Sequence, residues 1–297
     1  MATKYIATTG NDTTGDGSSG NPWLTLEKGL TGSTTGDTLV FAAGTYSKTT
    51  SQEIANRTIQ GATGGAANST TGWTVFSGGG GTGGFSQTGG TTNIYNIWFN
   101  NVVRPNTFNG FIRTSGVTTT TVRGCRFSGI TCASHSNYAG LIGSADYNAR
   151  VTSLTISSCI FDDIQCYMTD NANYTLFGGR GPSVGSTFRF NNNSLSFRTE
   201  SLRPGYLFGG YNGDSCDYLL KNNIFKNACS GIGFIALTPG TFTNGFIMQN
   251  NCYNGAFNTS GCTITNSTTS NPLFIDENNN DFRLQPTSPC IGTGTVI

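Results

Sequence analysis

Asp162 and Asp163 are the only adjacent acidic pair in the repetitive middle of the chain. Paired carboxyls serve general acid–base chemistry, so these two are the catalytic candidates if the protein is an enzyme. The positions that match them in neighbouring repeats hold Asn100 and Asn101, Ser128 and Gly129, and Ser196 and Phe197, so no second carboxylate stacks there. The competing account is a turn in which the carboxylates bond local amides. The single histidine, His135, sits in a polar stretch at 134–137 and reads as a solvated loop residue. Asp146, Asp170, Asp214 and Asp217 fall between the repeating phrases. A second kind of chemistry is easier to support. Tyr95, Trp98, Arg123 and Arg126 alternate away from the apolar columns. Aromatic faces stack on sugar rings and Arg forks bond hydroxyls and carboxylates, which makes these four the candidate ligand-binding residues. Packing against a loop or a neighbouring subunit is the alternative for them.

Neither metal nor cofactor is expected. The nine cysteines contain no CxxC spacing, the usual zinc signature. Gly-Gly-x-Gly-x-Asp calcium repeats are missing. The glycine-rich run at 78–84 lacks the following Lys-Ser/Thr of a phosphate loop. The cysteines are expected to be reduced core residues. Cys125 and Cys132 recur one repeat later as Cys159 and Cys166, as small filler in tight corners would.

The elements that must position these residues come from an internal repeat. Ile94, Phe99 and Val102 recur as Val122, Phe127 and Ile130, then as Ile156, Phe161 and Ile164. Weaker copies carry the anchor on to Leu195, Phe225 and Tyr253, at intervals of 28, 34, 34, 30 and 28 residues. A second apolar phrase follows each anchor, for example Leu141 to Gly143 and Leu176 to Gly178. Short apolar runs that alternate with polar residues and break at Gly and Asn are strands. One repeat is then one solenoid coil, and stacking coils about 4.8 Å apart completes the core. Five positions before the anchor stand Ile94, Val122, Ile156, Phe190, Leu220 and Met248, an inward column. Two before it stand Ile97, Cys125, Cys159, Asn193, Asn223 and Asn251, a corner where amides can bond from rung to rung.

Composition agrees. Of 297 residues only 10% are charged and 42 are Gly, against about 25% charged in an ordinary globular protein. The net charge of +1 gives no electrostatic footprint for nucleic acid. No apolar stretch is long enough for membrane insertion, and the opening Met1–Ile6 stretch lacks a Sec signal.

At the ends, Tyr5 to Ala7, Gly10 to Asp12, Asn21 to Trp23, Leu26, Gly36 to Thr38 and Ala43 to Tyr46 resemble the N-terminal segment of pectate-lyase-like β-helix proteins. Asn271 to Phe274, Asp281 to Leu284, Ser288 to Gly292 and Gly294-Thr295 resemble the last rung of the same superfamily. The expectation is an all-β chain: one right-handed parallel β-helix with a short N-terminal capping helix. Residues 1–46 would form the cap and first strands, 47–270 the coils, and 271–297 the last rung, in one domain. The superfamily spans polysaccharide lyases and hydrolases, phage tailspikes, adhesins and surface structural proteins. Low charge, a Thr/Asn/Gly-rich exterior and the missing acidic array favour a non-enzymatic virion or surface protein. Such a protein would be phage fibre- or tailspike-like, adhesive and glycan-binding. It would assemble as a homo-oligomer (a trimer or a lattice) with surface glycans or other virion proteins as partners. A polysaccharide lyase or depolymerase is the alternative.

Overall fold

The computed structural model describes residues 1–47, 51–63, 65, 68–78, 84–104, 111–116, 118–132, 139–144, 151–166, 175–179, 182–197, 206–209, 216–227, 232–236 and 245–295. Three parallel sheets of ten, eight and eight strands wind through these residues as a single right-handed β-helix. Each coil contributes one strand to each sheet. In the fourth coil, for example, Thr118–Arg123 lies in sheet one, Arg126–Cys132 in sheet two and Ala139–Ser144 in sheet three.

The register explains the repeat. The anchor column runs unbroken along sheet two, from Tyr46 and Phe76 through Phe99, Phe127, Phe161, Leu195 and Phe225 to Tyr253. Phe99, Phe127 and Phe161 stack with centroids 4.9 Å apart, one rung each. The Ile94 to Met248 column is buried along the inner side of sheet one. From sheet three, Phe111, Leu141, Leu176 and Leu207 close the core, all buried.

The corner between sheets one and two has only two residues. The first sits in the left-handed region in coil after coil, as Asn96, Gly124, Ser158, Asn192, Asn222 and Asn250. Asn, Gly and small polar residues tolerate that conformation best. The second is the expected ladder. Asn251 Oδ1 accepts from the Asn223 backbone N–H at 2.9 Å, Asn223 Oδ1 from Asn193 at 2.9 Å, and Asn193 Oδ1 from Cys159 at 2.9 Å. The amide nitrogens of Asn193, Asn223 and Asn251 donate to Ile156, Phe190 and Leu220 carbonyls. Cys159 and Cys125 continue the ladder as thiols: Cys159 Sγ accepts from the Cys125 N–H at 3.4 Å and donates to Ser157 O at 3.2 Å. Both are free and buried, and burial beside the Cys125 thiol pushes the Cys159 thiol well up.

Thr3–Ile6 starts sheet one, and the helix Leu26–Gly32 packs on it, capping the first coil. Asp12 fixes the helix entry by accepting from the Leu24 and Thr25 N–H groups and the Thr25 hydroxyl. Asp37 ties down the N-terminus, accepting from Thr34 and Ala2 N–H groups, and these bonds hold its carboxyl at about 2.

The far end differs from the last rung expected at 271–297. Phe274–Asp276 and Asp281–Leu284 form an antiparallel hairpin that, among the described residues, pairs with no strand of the solenoid. This segment turns back along the outer side of sheet two. The reason is chemical: Phe274 and Phe282 are apolar faces needing cover, and both are buried there. A second correction concerns the cysteines, because Cys252 and Cys290 are joined as a disulfide, with Cα atoms 6.1 Å apart. The returning segment brings Cys290 beside Cys252, a proximity that sequence spacing does not carry.

Candidate functional site

The four aromatic and arginine candidates all point outward, but the structure divides them between two faces. Tyr95 and Arg123 lie in register on sheet one, where the Arg123 guanidinium sits 5.2 Å from the Tyr95 ring centre. Arg123 is exposed and Tyr95 half-buried. Their column continues through Ser157 and Asn191 to Lys221. Beside it runs Asn93, Thr121, Thr155 and the exposed Arg189, and next to that Thr91, Thr119, Ser153, Thr187 and Asp217. Period-two alternation puts hydroxyls, amides and these cations on the outside while Val122 and Ile156 face the core. Among the described residues of this face the cations Arg123, Arg189 and Lys221 outnumber the one acid, Asp217. The arrangement is a largely polar surface with the Tyr95 ring beside Arg123, Tyr5 three rungs before it in the same column, cations spaced by whole rungs, and the apolar Leu219 and Ile247 beyond Arg189. It can hold a polymer that offers hydroxyls and carboxylates.

Trp98 and Arg126 lie on sheet two, in register with each other, and are covered. Arg126 is 0% exposed and Trp98 7%. The guanidinium is held between two rings, 4.7 Å from Trp98 and 5.9 Å from Phe282 of the returning hairpin. Trp98 Nε1 donates to Ser128 Oγ at 2.6 Å, and Ser128 donates on to Asn100 Oδ1. Further along, Lys226 and Glu277 form an ion pair at 2.5 Å, and Ser196 donates to Glu277 at 3.4 Å. Phe274, Glu277, Phe282 and the disulfide escaped the sequence reading. Their one sequence signal is the Phe274/Phe282 spacing ahead of Cys290.

The acidic pair is separated by its own backbone. Asp162 faces outward on sheet two between Ser128 and Ser196 and is 1% exposed. Asp163 is a bulge residue with φ 50°, matching Gly129 at 59° and Asn101 at 51° one and two coils earlier. A Cβ at Gly129 would lie 2.3 Å from Asn101 Oδ1, so glycine alone fits there without displacing that amide. Asp163 Oδ1 accepts from Gln165 Nε2 at 3.2 Å. The recurring left-handed position explains this residue, since Asn, Gly and Asp are the types that adopt it. His135, Asp146, Asp170 and Asp214 lie outside the described residues. Among those described, no group of three or more His, Cys, Asp or Glu could hold a metal ion, and no helix is long and apolar enough to cross a membrane.

Residues 203–296 match a family model described as "Disaggregatase related". That stretch takes in the last coils and the returning hairpin. No curated protein matches the chain. Among solved structures, the chain is similar to the pectate lyase Pel9A at 14% identity and TM-score 0.35, covering 100% of this chain and 92% of that one. It is similar to the pectin methylesterase PemA from Erwinia chrysanthemi at 10% identity and TM-score 0.47, over 90% and 89% of the two chains. A rhamnogalacturonan lyase aligns at 13% identity and TM-score 0.39, over 100% and 97%. The architecture stands on the strand pairing itself.

Proposed function

We propose that this protein is a surface structural or adhesive β-helix that binds an acidic polysaccharide, without cleaving it, on the outer face of sheet one. The observation that carries this reading is the accessible Tyr95–Arg123 pair, aligned with Lys221 and flanked by Arg189 on a surface of mainly hydroxyls and amides whose one described acid is Asp217. A ring face and fixed guanidinium groups supply stacking and bidentate bonding to carboxylates. The rigid ladder beneath holds them in place, so little side-chain order has to be acquired on binding. A cell or virion surface suits the disulfide, which persists where thiols are not kept reduced.

Calorimetric titration with oligogalacturonate against neutral dextran oligomers tests the reading. Binding of the acidic ligand is expected, with Arg123→Ala weakening it about tenfold, the size of one charge-assisted contact. Equal binding of both ligands, or none, defeats it. The match of 203–296 to a model described as disaggregatase-related favours a second reading, an enzyme, and cleavage of the same acidic polysaccharide is the form of it open to the same experiment. New reducing ends or unsaturated products during the same incubation would select that reading.

A further inference from the structure

We propose that residues 271–295 are a strap latched by the Cys252–Cys290 bond, and that reduction of this bond by a dithiol uncovers the Trp98–Arg126 face. The inference rests on the strap's own contacts and stands apart from the saccharide reading of sheet one. Three observations lead to it.

First, the strap is not part of the solenoid's ladder. Its two strands hydrogen-bond to each other and occupy a separate two-stranded sheet. It can therefore leave without breaking any rung. Second, side chains make its described contacts along sheet two. Phe282 lies over Arg126, Phe274 lies 6.0 Å from Lys226 Nζ, and Glu277 meets Lys226 and Ser196. The Lys226–Glu277 pair is partly exposed, at 24% and 19%, and a pair of that kind contributes little. At the strap's end, Asn222 and Asn250 bond Thr295 at exposed positions. Third, the one covalent tie joins Cys290 to the eighth coil at Cys252 and closes a loop of 38 residues that contains the hairpin. Such a bond confines the strap near its docking face, and its loss frees the segment to open locally.

The exchange balances in two steps. One thiolate of the dithiol attacks a sulfur of the Cys252–Cys290 bond, and the other cysteine leaves as a thiolate that takes a proton. The second dithiol sulfur then displaces the first cysteine. The dithiol ends oxidised as a disulfide, and Cys252 and Cys290 end as two thiols. What opens is a prepared surface. Trp98, Arg126, Asp162, Ser196 and Lys226 stand in two adjacent outward columns, and the strap's own Phe282 and Glu277 show that the face receives an aromatic ring and a carboxylate.

Arginine labelling with a vicinal dicarbonyl, read by peptide mass spectrometry, tests this on the full chain. Arg123 is exposed and three positions from Arg126, so it serves as the internal standard. In the oxidised protein Arg123 should be modified and Arg126 spared. After dithiothreitol and thiol blocking, and in Cys290→Ser, Arg126 labelling should rise about tenfold relative to Arg123 as local opening becomes frequent. Far-UV circular dichroism should stay unchanged. The oxidised Phe282→Ala variant should keep Arg126 far less reactive than reduction does. Arg126 remaining spared after reduction overturns the proposal, since the strap is then a permanent wall. Loss of the sheet signal on reduction overturns it too, since the bond then holds the whole solenoid. Full Arg126 reactivity in oxidised Phe282→Ala would likewise place control in the ring and not in the latch.

Discussion

Phe161 concentrates the logic of the core in one side chain. It is 0% exposed, with Phe127 at 4.9 Å, Phe177 at 5.0 Å and Phe190 at 5.9 Å from its ring centre. Phe161→Ala opens a cavity against neighbours on both sides, so the expected loss is about 3–5 kcal/mol. Urea unfolding measures it, and an unchanged midpoint would show that the ring is not holding the stack. This residue was legible in the sequence because its column repeats. Arg126 was half legible. Its outward direction follows from alternation with Phe127, but its cover comes from Phe282, more than 150 positions later and outside any repeat. Periodicity reports which face a side chain takes; it cannot report what a distant non-repeating segment lays on that face.

At the scale of the element, the two-residue corner decides most. A left-handed residue followed by a ladder residue turns the chain from sheet one to sheet two in the same way in coil after coil. The ladder was readable as a column that changes from apolar to Asn. The left-handed column and the bulge at Asn101, Gly129 and Asp163 were not read, because Asn, Gly, Ser and Asp are frequent throughout this chain and carry little contrast. The ladder makes a prediction of its own. Asn223→Leu removes the acceptor for the Asn193 N–H and the donor to Phe190 O, both buried. Each group left unsatisfied costs about 1–3 kcal/mol. The urea midpoint should fall with the slope unchanged, and the Asn193 amide should lose hydrogen-exchange protection. Retained protection at Asn193 would mean the amide ladder is decorative.

For the whole molecule, 10% charged residues and a net charge of +1 leave little repulsion between copies. Self-association is the expected result, as a closed three-fold bundle. Light scattering should then give about three times 31.3 kDa at micromolar concentration, and a clean 31.3 kDa species rejects it. The coil architecture was legible from Ile94 to Tyr253, because each of those rungs repeats the same problem and solves it with similar residue types, while the earlier coils anchored on Tyr46 and Phe76 were not read as copies. The returning strap was not, since its partner face is set by tertiary proximity alone. That strap also works as a length gauge. It is pinned at Arg126 through Phe282 and at Cys252 through Cys290, with four rungs between the two pins. Four rungs measure about 19 Å, and the eight residues from Phe282 to Cys290 reach at most about 26–29 Å when extended. A solenoid grows readily by duplicating a coil, since a duplicated coil stacks on its own copy. Here the strap tolerates little such growth: one inserted coil would pull it nearly taut, and a second would bring it to the limit of its reach, so the coil count between Arg126 and Cys252 has a ceiling set by a segment that belongs to no coil.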